Sequence, residues 1–270
     1  MKCRLIAMDL DGTLINDQKQ ITKDTLNCLK ELQKQGVRLV LASARPSPGL
    51  LAESSLLEMP EHGGILMSYN GGRIVEAKTG NVLYETAMDL DLAKQVLKKL
   101  EEYPVTVILD DGRQFYVTDP EGYKVEYECR NNHMTCTKVE NLADFICFQP
   151  VKFLMSVRPE ELKCVQEQIA SWLPKELTIV QTAAFYLEII PAAINKGEGL
   201  RQISRITGIP VSDMVAFGDS ENDIPLLRTA GIGVAMGNAA AEVKAAADFV
   251  AGTNNEDGIA QFLWGSDPGY

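Results

Sequence analysis

Acidic residues gather at two places in this sequence with a spacing suited to metal-assisted chemistry. Asp9-Leu10-Asp11-Gly12-Thr13 closes the apolar run Leu5-Ile6-Ala7-Met8, and Gly218-Asp219-Ser220-Glu221-Asn222-Asp223 closes Met214-Val215-Ala216-Phe217. Carboxylates one residue apart converge on a common centre where the chain turns sharply, and Gly12 permits such a turn. Alone, the pair also matches a solvated acidic turn. Oxygen donors from two loops suit Mg²⁺, which takes a few carboxylates and fills its remaining positions with waters and phosphate oxygens. Asp9 and Asp219 are the natural carboxylate ligands. Asp223 either holds the metal's waters or caps the helix that follows.

Two further segments bring groups that favour anions. Ser43-Ala44-Arg45 follows the apolar run Val37–Ala42; its hydroxyl and backbone N–H groups suit a phosphate, while the alternative for Ser43 is an ordinary helix cap. Asn195-Lys196-Gly197 opens an amphipathic stretch. Lys196 either neutralises a carboxylate or a transferring phosphoryl group, or is an exposed lysine at a helix start. A helix N-terminus disfavours cations, which weighs toward the first role.

The elements that must position these residues alternate. An apolar run through Met8, an amphipathic helix over residues 22–36 with Thr22 as N-cap and Gly36 as stop, and further apolar runs at residues 37–43 and 65–68 predict a buried parallel sheet. Residues 73–86 predict a hairpin through Thr79-Gly80-Asn81. From about Met88 to Tyr186 the texture changes to shorter strands, two helices and more aromatic residues, after which the alternating pattern resumes. The expected architecture is an α/β domain of residues 1–85 and 189–270, interrupted by an α+β domain of residues 86–188. In open parallel sheets ligands bind beyond the strand carboxyl ends at a topological switch point, where each acidic segment falls.

Composition narrows the partners. With 270 residues, 46% hydrophobic content and a formal net charge of −11, the chain can bury a core and has no electrostatic attraction for nucleic acid or anionic membrane. An anionic substrate then needs a local reversal of field, which a divalent cation supplies. No export signal or membrane-spanning stretch is evident, and the six cysteines are scattered without CxxC spacing. These features predict a cytoplasmic protein with free thiols.

In their order and placement the four segments resemble the signature motifs of the haloacid dehalogenase superfamily. YNGG at 69–72, LEIIP at 187–191, GDSENDIPLL at 218–227, VAMGNA at 234–239 and DFVAGTNNEDGIA at 248–260 are similar to its Cof-type subclass IIB phosphatases. The resemblance spans nearly the whole chain. It implies a Rossmann-like core with a parallel sheet, a mobile C2-type cap domain, Mg²⁺, and a small phosphorylated metabolite as substrate, sugar phosphates foremost. It further implies Asp9 as nucleophile and metal ligand, and Asp11 as general acid and base with its backbone carbonyl on the metal. Asp219 would complete the metal site, and Leu10, Ser43, Ala44, Lys196 and Asn222 would hold the phosphoryl oxygens. Ala44 departs from the glycine common in relatives and is less free to turn its N–H outward. A phosphosugar mutase of the same superfamily would share this constellation. A receiver-type signalling module also forms an aspartyl phosphate, but has no need of the long insertion or of an acid two positions after the phosphorylated one.

Overall fold

The computed structural model describes residues 3–265. The chain divides into two compact units, one made of residues up to Glu85 and from Asn195 onward, the other of Thr86–Ile194.

The first unit opens with β1 (Leu5–Met8), α1 (Lys23–Lys34), β2 (Arg38–Ala42) and α2 (Leu51–Leu56). It continues through β3 (Ile65–Ser68), β4 (Arg73–Glu76) and β5 (Val82–Glu85). Helix α1 forms where the sequence predicts it: Thr25, Cys28, Leu29 and Gln33 share the buried face, and Gly36 follows at φ 90°. Thr22 stands at the N-cap but its hydroxyl does not cap the helix. Asp257 takes that task, accepting hydrogen bonds from the Thr25 N–H at 3.0 Å and hydroxyl at 3.2 Å.

The second unit contains α3 (Leu90–Leu100), β6 (Thr106–Asp110), β7 (Phe115–Val117), α4 (Val125–Asn132) and β8 (Cys136–Lys138). Then come α5 (Leu142–Phe145), β9 (Phe153–Ser156), α6 (Pro159–Ala170), β10 (Leu177–Ala183) and β11 (Tyr186–Pro191). Its strands form a six-stranded sheet in the order β10-β11-β9-β6-β7-β8. Helices α3 and α6 pack on one face over Phe153, Met155, Leu187 and Ile189, while α4 packs Val125 against Ile108, Leu154 and Tyr186 on the other. Strand β11 stays paired with β10 as far as Pro191. The junction therefore falls between Ile194 and Asn195, not at 188/189.

The chain returns to the first unit with α7 (Lys196–Thr207), β12 (Met214–Gly218) and α8 (Ile224–Thr229). Strand β13 (Ile232–Ala235), α9 (Ala241–Ala246), β14 (Phe249–Val250) and α10 (Gly258–Gly265) complete it. Eight strands lie in the order β14-β13-β12-β1-β2-β3-β4-β5. All pairs from β14 to β3 are parallel, and the hairpin β4–β5 adds an antiparallel edge. Side chains alternate between the faces: Ile6, Met8, Leu39, Leu41 and Phe217 pack with α1 and α10, whereas Leu5, Ala7, Val40, Ala42 and Ala216 pack with α7, α8 and α9. Both faces are buried, which explains why the strands read as continuous apolar runs. Among the described residues, no helix is long and apolar enough to cross a membrane.

One ion pair is buried inside the second unit. The Lys152 ammonium lies 2.6 Å from Glu188, and each side chain is 4% exposed. Glu128 is also buried nearby, and burial raises its carboxyl pKa despite the opposing pull of Lys152. Removing one member of a buried pair leaves the other charge uncompensated. Lys152→Met is expected to destabilise this unit by about 3–5 kcal/mol, read from urea unfolding. A loss within the scatter of surface substitutions would contradict that assignment.

Candidate active site

Strand β1 lies between β2 and β12, the point where strand order reverses, so its carboxyl end opens at the switch point. Met8 is level with Leu41 on one side and Phe217 on the other. Asp9, Ser43 and Asp219 therefore leave the sheet at the same edge.

Asp9 is 7% exposed and Lys196 is fully buried. The Lys196 ammonium lies 2.5 Å from Asp9 Oδ1 and 2.6 Å from Asp223 Oδ1. Lys196 is thus no surface lysine. It starts α7 behind Asn195, whose side chain accepts a hydrogen bond from the Glu198 N–H at 2.9 Å. Burial alone would pull the lysine's pKa down, but Asp223 and Asp9 outweigh it and hold the pKa above its ordinary value. The other oxygen of Asp223 accepts bonds from the Asp219 and Ser220 N–H groups, each at 3.0 Å. Asp223 is therefore a cap for its own turn and the second anchor of the lysine.

Asp219 is reached from the opposite loop. Thr13 Oγ1 donates to it at 2.7 Å, and Ser220 Oγ at 3.2 Å. Gly12 has φ 83°, and an added Cβ there would run into the Asp219 carboxylate. Glycine is required by both dihedral and space. The Asn238 amide donates to the Gly12 carbonyl at 2.8 Å and fastens the same turn.

Among the described residues, Asp9, Asp219 and Asp223 each offer an oxygen, all within 4.8 Å of one another. Burial raises the Asp9 carboxyl pKa well above the ordinary range, with Lys196 opposing and the two other acids adding to it. Burial, with help from Asp223, also raises Asp219. Three carboxylates thus share one ammonium in a poorly hydrated place, and a divalent cation would offset the excess charge. An all-oxygen, carboxylate-rich set fits a hard ion such as Mg²⁺, Mn²⁺ or Ca²⁺.

The Asp11 side chain lies outside this cluster. Its carboxylate is gripped by Arg45 through Nε at 2.8 Å and Nη2 at 2.7 Å, and Lys19 Nζ lies 2.6 Å away. Burial pushes this carboxyl up, but Arg45 and Lys19 outweigh it and hold its pKa below the usual value. Ser43 is buried; its Oγ accepts from the Arg45 N–H at 3.2 Å. No helix starts there. The next helical turn begins at Ser47 behind Pro46, so the helix-cap alternative for Ser43 is overturned. Ala44 is not among the residues with positive φ, so alanine in place of glycine carries no left-handed strain. Leu10 is buried, its carbonyl accepting from the Leu14 and Ile15 N–H groups at 3.1 and 3.0 Å. Asn222 is exposed on the turn Glu221–Asp223, and its amide donates to Asn70 Oδ1 at 2.9 Å. Sequence reasoning assigned no role to Arg45, Lys19, Thr13 or Asn70. Arg45, Asn70 and Thr13 lie inside motif segments, whereas nothing in the spacing marked Lys19.

The model of the haloacid dehalogenase-like hydrolases matches residues 6–263. The chain is 30% identical over 267 residues to the 5-amino-6-(5-phospho-D-ribitylamino)uracil phosphatase YitU of Bacillus subtilis, covering 96% of each protein. A haloacid dehalogenase-like hydrolase from Bacteroides thetaiotaomicron superposes with a TM-score of 0.92 at 31% identity, covering 97% of this chain and 99% of that one. The subclass IIB sugar phosphatase BT4131 superposes with a TM-score of 0.80 at 25% identity, covering 97% and 98%. The chain belongs to the haloacid dehalogenase-like hydrolases. Within that family it is an enzyme of the phosphoric monoester hydrolase class.

If the acidic cluster holds Mg²⁺, the ion stabilises the fold by mass action, about 2.7 kcal/mol at a hundredfold excess over its Kd. Mg²⁺ is expected to raise the thermal midpoint, and Asp219→Asn is expected to remove most of that rise while staying folded. A wild-type midpoint indifferent to Mg²⁺ would count against the metal site.

Proposed function

We propose that the protein is a Mg²⁺-dependent phosphatase that hydrolyses phosphomonoesters of small metabolites, sugar phosphates foremost, through an aspartyl phosphate on Asp9. The observation that carries this reading is the buried Lys196 held between Asp9 and Asp223, beside Asp219, at the carboxyl end of the central strand.

The free oxygen of Asp9 attacks phosphorus, and the bond from phosphorus to the leaving oxygen breaks. Asp11 gives that oxygen a proton, then takes one from the water that opens the aspartyl phosphate, returning Asp9 and releasing phosphate. Gripped by Arg45 and Lys19, Asp11 is in the form that accepts a proton; it must leave them and take up a proton before it can donate one. Lys196, the Ser43 hydroxyl, the Asn222 amide and the N–H groups of Leu10 and Ala44 hold the phosphoryl oxygens, since this transfer depends more on positioning and positive charge than on covalent chemistry. Asp9, Asp219 and the Asp11 carbonyl would hold Mg²⁺, which supplies charge to offset the phosphoryl group. Asp223 remains with Lys196 and the Asp219 N–H. All these residues belong to the first unit. The names of YitU and BT4131 support a small phosphorylated substrate.

A panel of phosphorylated metabolites assayed with Mg²⁺ tests the reading: sugar phosphates are expected among the best substrates, and EDTA is expected to stop turnover until Mg²⁺ is restored. Full activity after EDTA and dialysis would rule the metal dependence out. Asp9→Asn should fold and lose turnover entirely; substantial phosphatase activity in that variant would exclude Asp9 as nucleophile. Asp11→Asn is expected to cost a sugar phosphate about 10²-fold or more and p-nitrophenyl phosphate less. Equal losses on the two substrates would contradict leaving-group protonation by Asp11.

A further inference from the structure

The turn after β3 enters none of these steps, yet it touches three of the segments that handle the phosphoryl group. Tyr69 and Asn70 both have left-handed backbone, at φ 52° and 56°, and both are buried. Consecutive non-glycine residues in that region persist only where their surroundings hold them. The Tyr69 N–H donates to the Arg45 carbonyl at 3.1 Å, and the Asn70 N–H to the Ser43 carbonyl at 2.9 Å. The Asn70 side-chain oxygen accepts from Asn222 Nδ2 at 2.9 Å. At Gly71, φ 96°, an added Cβ would lie 2.8 Å from the Asn195 carbonyl and 3.1 Å from Gly199 Cα. The turn is thus pressed against the start of the helix that carries Lys196.

We propose that Asn70 is a positioning residue: it fixes the Asn222 amide so that this amide's second N–H points to a phosphoryl oxygen. The inference rests on the phosphatase reading above, because the orientation of Asn222 matters only if it binds that group. An exposed asparagine on a short turn has several rotamers in water, and ordering it on substrate binding would weaken the contact. A bond to a buried, immobile acceptor orders it beforehand, using one amide hydrogen and leaving the other. Donors fixed in advance need no reorganisation as charge develops. The residue type follows from two demands, since asparagine tolerates the left-handed region better than most residues and carries the acceptor.

The test uses Asn70→Gly and Asn70→Ala, which delete the same side chain at different backbone cost, because glycine accepts φ near 56° and alanine resists it. Both are expected to lower kcat/KM for p-nitrophenyl phosphate with saturating Mg²⁺ about tenfold, roughly 1.4 kcal/mol, and to weaken competitive inhibition by inorganic phosphate by a similar factor. Only Asn70→Ala should melt at a clearly lower temperature. In an Asn222→Ala background, Asn70→Gly should cost nothing further. Activity losses that track melting temperature, or equal losses in both backgrounds, would overturn the proposal. So would unchanged kinetics in the single variants. A wild-type enzyme that hydrolyses no phosphomonoester would instead overturn the phosphatase reading.

Discussion

The site depends on one constraint: an ammonium with no access to water must be neutralised where it stands. Taking a charge out of water costs several kcal/mol even after relaxation, and the pairing must repay it. Lys196 meets that demand with two carboxylates, one from the end of β1 and one from the turn after β12. Asp223 is in turn held by two backbone N–H groups of its own loop. The interaction therefore fixes the relative positions of β1, β12 and α7 more tightly than apolar packing would, since a methyl group tolerates a shifted neighbour better than a charge does. Whatever the reaction, a carboxylate here is presented with one oxygen tied to a lysine and with two more acids close by.

That arrangement separates two kinds of carboxylate on one short loop. Asp9 is dry and crowded by like charges, with burial raising its pKa. Asp11, two residues on, is partly exposed and bound by Arg45 and Lys19, which lower its pKa. In the resting site each acid is thus held away from the form the proposed reaction first uses, since a nucleophile must be ionised and the acid that protonates a leaving group must carry a proton. Gly12 makes the separation possible by turning the chain immediately afterwards.

Most of the core was legible in the sequence because its strands are buried on both faces and read as unbroken apolar runs. The positions of Asp9, Ser43 and Asp219 at one sheet edge followed from the placement of each motif behind such a run. Helix α4 was not legible. It begins and ends at left-handed residues, Lys124 and His133, and buries only Val125, Glu128 and Asn132, so it offers neither a normal cap nor a clear apolar stripe. Helix α9, six residues of which three are alanine, was equally silent. Glu188 is an acid inside the otherwise apolar β11, and the buried partner that makes it tolerable, Lys152, is distant in sequence. Arg45 carried no visible role for a similar reason, as its partner Asp11 lies on another loop. Helix periodicity and strand runs are local signals, whereas ion pairs across the fold are not.

The interrupted layout of the first unit also sets an order of events during synthesis. The inserted unit is one continuous stretch, Thr86–Ile194, and has all its strands as soon as that stretch has emerged. Strand β1 gains β2 early, but its other neighbour, β12, lies about two hundred residues downstream, a delay of about 10–40 s at translation rates of roughly 5–20 residues per second. Through that interval one edge of an apolar strand stands unpaired, the kind of edge that recruits other chains. Asp9 meanwhile has neither Lys196 nor Asp223 beside it. A nascent chain therefore completes its inserted unit while its reactive centre is still unassembled, and the centre becomes one of the last parts of the molecule to exist.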